Sequence, residues 1–466
     1  MSLVFKIKHK IAIGLVCCVA IGINSPQAQA QQISGNRMNI VFLLADDLRW
    51  NSLGCMGNPI VITPNIDKLS EESVRFNNAC VTTAVCMVSR ATILTGQYMS
   101  RHHITNFGVQ LSEQALTKTY PAILRKAGYW TGYVGKYGVG NIKEDQFDYS
   151  VEYEGKHWLP DGSGDSVHVT AKNEKDALYF LKNRPKDKPF LISVGFFAPH
   201  AEDLSPEQYR YQPSSEKYYR GVTIPVPKTA TDEALKALPP FIDSEENEGR
   251  ARWHKRFDTP EKYQVYMKAY YRMVTEVDMA IGNIIDELKA QGVYDNTLIV
   301  VMGDNGYFQS EHQLADKWYP YQESIRIPLI VHDPRLHNTQ QNTVNNEFVL
   351  NIDLAPTIIA AAGEPIPSAM QGSDFSTLYL DEKAPAWRQD FYYEHPTIGK
   401  SSFIPSSEAL VTHTRKYIFW PEFQYEEYFN LKKDPCEEHN NIRNRKEQKT
   451  IQSMRKRFGE LKEQAF

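Results

Sequence analysis

Three short apolar runs, each ending abruptly in polar residues, constrain this chain more than any other feature. They are NIVFLL (Asn39 to Leu44), FLISVGF (Phe190 to Phe196) and TLIVVM (Thr297 to Met302). Runs this short and rich in branched side chains suit strands covered on both faces, which is the environment of a parallel sheet. Between them lie helical patterns, from about Ala171 to Asn183 and from about Glu261 to Ala290, the second stopped by Gly292. Further strands are expected from Val74 to Cys80, around Tyr133 and from Ile327 to Val331, with helices starting at Pro64 behind Thr63 and behind Asp353 as a cap. The alternation predicts an α/β fold, a mostly parallel sheet flanked by helices.

Ligands of such sheets sit beyond the carboxyl ends of the strands. There the sequence places Asp46 and Asp47, Gly135-Lys136, His200, and Asp304 with Asn305. Two acids at one strand end and an Asp-Asn pair at another supply oxygen donors, and a hard divalent cation such as Ca²⁺ takes about six to eight of these. After Gly363 the texture changes to a loop rich in Pro, Ser and Gly. Strand candidates follow around Phe391, Leu410, Tyr417 and Tyr428, then a polar helix from about Lys446. We expect a catalytic α/β region over 36–365 and a smaller C-terminal antiparallel α+β subdomain over 366–466. The stretch from Ala201 to Phe257 is a long excursion of the kind that carries function.

The first thirty residues differ from the rest: Lys6, Lys8 and Lys10, an apolar run from Ile11 to Ile23, then Ala28-Gln29-Ala30. This reads as a signal peptide over 1–30, cleaved near Gln31, with an apolar run too short to act as a transmembrane anchor. Export to the periplasm or beyond is expected. Loss of the three leader lysines takes the net charge from −4 to −7, which argues against a nucleic-acid partner. Of six cysteines, Cys55, Cys80, Cys86 and Cys436 lie beyond the leader. If Cys86 is modified an odd number remains, so disulfides are not expected to hold the fold.

The stretch CMVSRATILTG, Cys86 to Gly96, places a cysteine at a helix start, an arginine one turn on and a closing glycine. An oxyanion there would meet free N–H groups, the positive end of the helix dipole and a guanidinium fork. The stretch resembles the signature of the type I (formylglycine-dependent) sulfatases, in the alkaline phosphatase superfamily, with Cys86, Ser89, Arg90, Thr95 and Gly96 matching. Val88 departs from the Pro or Ala of that pattern. The segment Gly303 to Ile330 is similar to the family across its whole length, and Glu427 to Leu431 with Asp434-Pro435 look like its C-terminal part.

The resemblance implies an alkaline-phosphatase-like fold and an exported sulfatase. It implies conversion of Cys86 to formylglycine by a maturation enzyme, and Ca²⁺ held by Asp46, Asp47, Asp304 and Asn305 beside the Cys86-derived group. Arg90, Lys136 and Lys317 would bind the sulfate and His200 would protonate the departing alcohol. The family's Gly-Lys-Trp-His ends here in Gly138, so its second histidine is absent; His102, His103 and His312 are the candidate substitutes. Exported hydrolases rich in tyrosine and tryptophan suit a sulfated carbohydrate substrate, with Trp158, Arg252 and Trp253 as candidate subsite residues. Two alternatives stand beside this reading: a phosphodiester or phosphonate hydrolase on the same fold, and a catalytically silent glycan-binding homologue.

Overall fold

The computed structural model describes residues 37–381, 385–399 and 403–466. The expected signal peptide and its two cysteines lie outside the described residues. Eight strands form the large sheet: β1 (Asn39–Ala45), β2 (Val74–Cys80), β3 (Trp130–Gly135), β4 (Tyr149–Glu152), β5 (Phe190–Phe196), β6 (Thr297–Gly303), β7 (Leu329–His332) and β8 (Thr343–Leu350). Their order across the sheet is β8-β2-β7-β6-β1-β5-β3-β4. The helices used below are α1 (Pro64–Glu71), α2 (Cys86–Thr95), α3 (Tyr120–Lys126), α4 (Val169–Asn183), α5 (Glu248–Arg256), α6 (Pro260–Ala290), α7 (Leu354–Ala361) and α8 (Gln448–Ala465).

β1 lies between β5 and β6, parallel to both, with Ala45 opposite Phe196 on one side and Gly303 on the other. All seven of its residues are buried. Ile40, Phe42 and Leu44 join a core with Val88 and Ile93 of α2, whereas Val41 and Leu43 join a second core with Met273 and Ile281 of α6. A strand buried on both faces has no polar side to show, which is why its sequence reads as a continuous apolar run.

β7 alone in this sheet runs against its neighbours, β6 and β2. The connection from β6 explains it. Residues 304–328 carry a two-stranded ribbon, Phe308–Gln309 with Ala315–Asp316, a single 3₁₀ turn at Glu311–Gln313 and one short helix, Gln322–Ile325. With no crossover helix to return the chain to the other edge, the next strand must run back. The whole connection is thereby held at the carboxyl edge.

A separate antiparallel sheet follows the chain order of β9 (Asp390–His395), β10 (Ser407–Thr412), β11 (Arg415–Trp420) and β12 (Tyr425–Asn430). α8 packs Ile451 and Met454 against its Leu410, Tyr417 and Tyr428. Thr63 and Pro64 do begin α1, but the Thr63 side chain makes no cap bond there. Asp353 precedes α7 without capping it. Its carboxylate instead accepts from the amides of Leu350 and Ser373 and pairs with Arg388. The excursion from Ala201 to Phe257 contains α5, whose Arg256 is fully buried. Cys55, Cys80, Cys86 and Cys436 are all free thiols.

Candidate active site

Backbone hydrogen bonds between adjacent strands bring the polar strand ends together. The Asp46 amide donates to Phe196 O at 3.2 Å, the Asp304 amide to Ala45 O at 3.1 Å, and the Lys136 amide to Gly195 O at 2.8 Å. Asp47 then turns into the left-handed region at φ 58°, a conformation that costs an aspartate energy and persists where the surroundings hold it. Its amide donates to Asp304 Oδ1 at 3.2 Å and its carbonyl accepts from Tyr270 of α6 at 2.7 Å.

Asp46, Asp47, Asp304 and Asn305 are all buried. Asn305 Nδ2 donates to Asp47 Oδ1 at 2.7 Å, which turns Asn305 Oδ1 away from that bond. Asp46 Oδ1, Asp47 Oδ2 and Asn305 Oδ1 have no hydrogen-bond donor. Buried oxygens left without donors are costly unless something else meets them. Ligand atoms of Asp46, Asp47 and His200 lie within 4.8 Å of one another. This donor set, mostly carboxylate and amide oxygen, fits a hard divalent cation. The electrostatics agree: burial raises Asp47, and burial with the Asp46 charge beside it raises Asp304 to about 6. Burial would raise Asp46 as well, but Lys136, His200 and Arg90 together outweigh it and hold that carboxyl below its usual range.

Cys86 opens α2 behind an extended Val85. Burial pushes its thiol up to about 11, with the Lys136 ammonium 3.6 Å from the sulfur pulling the other way. One turn later Arg90, 1% exposed, donates from Nε to Asp304 Oδ2 at 2.8 Å and from a terminal nitrogen to Lys136 O at 2.5 Å. Its other terminal nitrogen stands 3.7 Å from Asp46 and has no hydrogen-bond partner. Gly96 ends the helix at φ 63°. Ser89 accepts from Asn351 Nδ2, and Val88 is fully packed into the core.

Lys136 pairs with Asp46 and lies over the Phe197 ring at 5.5 Å. Lys317 reaches back from the β6–β7 connection to Asp47 Oδ1 at 2.5 Å and Asp316 Oδ1 at 3.5 Å. His200 donates from Nδ1 to Ala201 O at 2.6 Å, which leaves Nε2, 3.6 Å from Asp47 Oδ2, as the atom facing the site. Cys86, Arg90, Lys136, His200, Lys317 and the four oxygen donors therefore converge.

Of the candidate substitute histidines, His102 and His312 are engaged elsewhere. His102 bonds Thr92 and the Ile104 amide inside the core, where burial lowers it to about 3. His103 ends a short helix in the left-handed region. His312 is buried against Cys436 O and stacks on Tyr321. Gly138 leaves no space for a histidine: it sits at φ 73°, and a Cβ there would stand 2.9 Å from Arg90 Cδ.

Arg252 and Trp253 lie in a layer around the site. Arg252 pairs with Asp203 and Glu248 and stands 3.8 Å from Asp316, while the Trp253 indole donates to Ser310 Oγ at 2.8 Å. The sequence reading missed Asp316 and Arg256. Arg256 donates to Asp316 at 2.7 Å, to Tyr307 at 2.7 Å, to Asp203 at 2.8 Å and to Gln208 at 2.9 Å, so Asp316 bridges it to Lys317. The one local signal was the position of Asp316 directly before Lys317.

The sulfatase family model matches residues 38–364, and a model described as N-sulphoglucosamine sulphohydrolase, C-terminal, matches residues 310–464. An N-acetylglucosamine-6-O-sulfatase of Bacteroides thetaiotaomicron is 28% identical, covering 89% of this chain and 84% of its own. An arylsulfatase of Clostridium perfringens is 27% identical, covering 90% and 93%. A solved structure in complex with its substrate D-glucosamine-2-N,6-O-disulfate superposes with a TM-score of 0.78 at 25% identity, covering 92% of this chain and 98% of that one. A phosphonate monoester hydrolase of Agrobacterium radiobacter shares the fold, with a TM-score of 0.76 at 19% identity, covering 92% and 96%. With these likenesses laid over the converging strand ends, the chain belongs to the sulfatase family of the alkaline phosphatase superfamily and is a sulfuric ester hydrolase.

Proposed function

We propose that this chain removes sulfate esters from a sulfated oligosaccharide or polysaccharide. The observation that carries the reading is the placement of the Cys86 sulfur 3.6 Å from the Lys136 ammonium, within a ring of Arg90, Lys317, His200 and buried acids. The likeness to an N-acetylglucosamine-6-O-sulfatase and to a glucosamine disulfate complex supports a sugar as the alcohol. Export, suggested by the leader, is part of the same proposal, because sulfated polysaccharides are met outside the cell.

Asp46, Asp47, Asp304 and Asn305 would hold Ca²⁺, which when bound supplies Lewis-acid polarisation of the sulfate oxygens. Formylglycine made from Cys86 by a maturation enzyme supplies a hydrated aldehyde as the nucleophile. Arg90, Lys136 and Lys317 orient the sulfate and offset the charge that builds on its oxygens. The α2 N-terminus adds its dipole on the same side. His200 holds a proton at Nε2 when charged and delivers it to the departing sugar oxygen. The Nδ1–H bond to Ala201 O keeps the imidazole oriented.

The test is a panel of defined sulfated oligosaccharides given to the protein matured in its host, with peptide mass analysis of Cys86 alongside. Release of sulfate with a converted Cys86 is expected. Faster turnover of an aryl phosphonate than of the matched aryl sulfate would favour the phosphonate reading. An intact thiol with no turnover of any member would favour the silent glycan-binding one.

A further inference from the structure

Outside the sulfate pocket the described residues form a groove of about 800 Å³ with a chemistry of its own, a volume in the range that holds small ligands. We propose that it is a second saccharide subsite, which grips an anionic pyranose unit remote from the ester being cleaved. The proposal rests on the carbohydrate reading above and extends it. Trp158, Tyr211 and Tyr266 line the groove, and Lys268, Arg210 and Arg272 stand among them.

Aromatic faces cover the C–H face of a sugar ring, and cations at their edges meet its sulfates or carboxylates. Arg272 supplies a second, independent observation. It is 7% exposed, lies over the Tyr211 ring at 4.6 Å, and its Nε has no hydrogen-bond partner. Its Nη2 donates to Glu216 O at 3.2 Å and stands 3.9 Å from Glu216 Oε1. An arginine on the wall of the groove, paired only loosely with half-exposed Glu216, is a recognition point for a sulfate or carboxylate. The acids of the groove are themselves engaged: Glu207 accepts from Arg210 at 2.8 Å and Glu216 accepts from the Tyr211 hydroxyl.

The groove also communicates with the site. Tyr209, one of its lining residues, hydrogen-bonds the Tyr307 hydroxyl at 2.6 Å and sets its ring edge-on to Tyr270 at 6.0 Å. Tyr270 in turn donates to Asp47 O. The segment that carries His200 runs on into Tyr209 to Tyr211, and its His200 carbonyl is fixed by His157, next to Trp158. Binding of a remote unit of the substrate chain here would lend its energy to positioning the reacting end.

Cys86→Ala protein, which cannot turn substrate over, is titrated calorimetrically with hexasaccharides of heparin, chondroitin sulfate and ulvan. Lys268→Glu and Trp158→Ala are then tested in the same background, with melting curves as the check on folding. Each is expected to weaken the best hexasaccharide by about tenfold or more, as the loss of an aromatic or charged anchor does. If Trp158→Ala fails to fold, Lys268→Glu, a change on a partly exposed helix position, decides alone. Affinity within about twofold of the parent for the folded variants overturns the groove. So does failure of every hexasaccharide to bind while wild-type protein hydrolyses 4-nitrocatechol sulfate. Groove-dependent binding of a hexasaccharide that the wild type never desulfates would instead overturn the carbohydrate-sulfatase reading and leave the groove standing.

Discussion

Restoring the histidine that the family carries at position 138 should damage this enzyme. Gly138 lies at φ 73°, and a Cβ would approach Arg90 Cδ at 2.9 Å. Arg90 has little room to yield, because its Nε is held by Asp304 and a terminal nitrogen by Lys136 O. Left-handed backbone costs a side chain about 1–2 kcal/mol, and forcing atoms into packed space adds about 1–3 kcal/mol. Gly138→Ala should therefore lose about 2–5 kcal/mol, which in a unit of this size lowers the melting temperature by a similar number of degrees. Gly57 provides the control: it sits at φ 95° with nothing within 4 Å of a Cβ, so Gly57→Ala should show the backbone cost alone. Gly138→His should at least match Gly138→Ala in lost stability. Because it displaces the guanidinium proposed to orient sulfate, kcat on an aryl sulfate should fall by about 10- to 100-fold. A Gly138→His protein that melts with Gly57→Ala and turns over as fast as the wild type would refute this reasoning.

Arg90→Ala leaves Asp304 buried without its cation, a loss of about 3–5 kcal/mol in chemical denaturation and of nearly all turnover. Lys317→Ala should reduce kcat by about a hundredfold or more, in line with loss of one charge-stabilising donor, while circular dichroism stays unchanged. Chelation with EDTA should lower the melting temperature and activity together, and Ca²⁺ at about 100 times its dissociation constant should restore about 2.7 kcal/mol; a melting curve indifferent to both reagents would exclude a metal from this site. Burial raises Glu427, which accepts from Trp420 and Tyr321, from 4.5 to about 7. Because the folded-state value lies above the unfolded one, its charge costs stability above pH 7, by about 3 kcal/mol at most, and that cost fades as pH falls through 7 toward 4.5. Glu427→Gln should thus stabilise the protein at pH 8 and do nothing at pH 5; equal shifts at both would show that the charge is not responsible.

Much of the site was legible because its signals are local. Asp46-Asp47, Lys136, His200 and Asp304-Asn305 each follow an apolar strand within a few residues, so the rule that ligands lie beyond parallel strand ends located them without knowledge of strand order. The Cys86 to Gly96 stretch was legible for the same reason, since a helix start, an arginine one turn on and a closing glycine are spaced by the helix itself. The reversed β7 was not, because direction depends on the path of the 304–328 connection rather than on the strand's own residues.

What the sequence determined by itself is the set of chemical groups at each strand end and their order along the chain. Which groups face one another was decided by tertiary structure. Arg256 meets Asp316 across a separation of 60 positions, and no periodicity encodes such a pairing. His102 and His312 look as able as His200 on paper; packing against Thr92 and Cys436 O turns them inward, whereas the β5 end aims His200 at Asp47. The physical reason is that backbone hydrogen bonding and apolar periodicity repeat over short spans and leave a trace in the sequence, whereas a buried charge finds its partner only after those elements have packed.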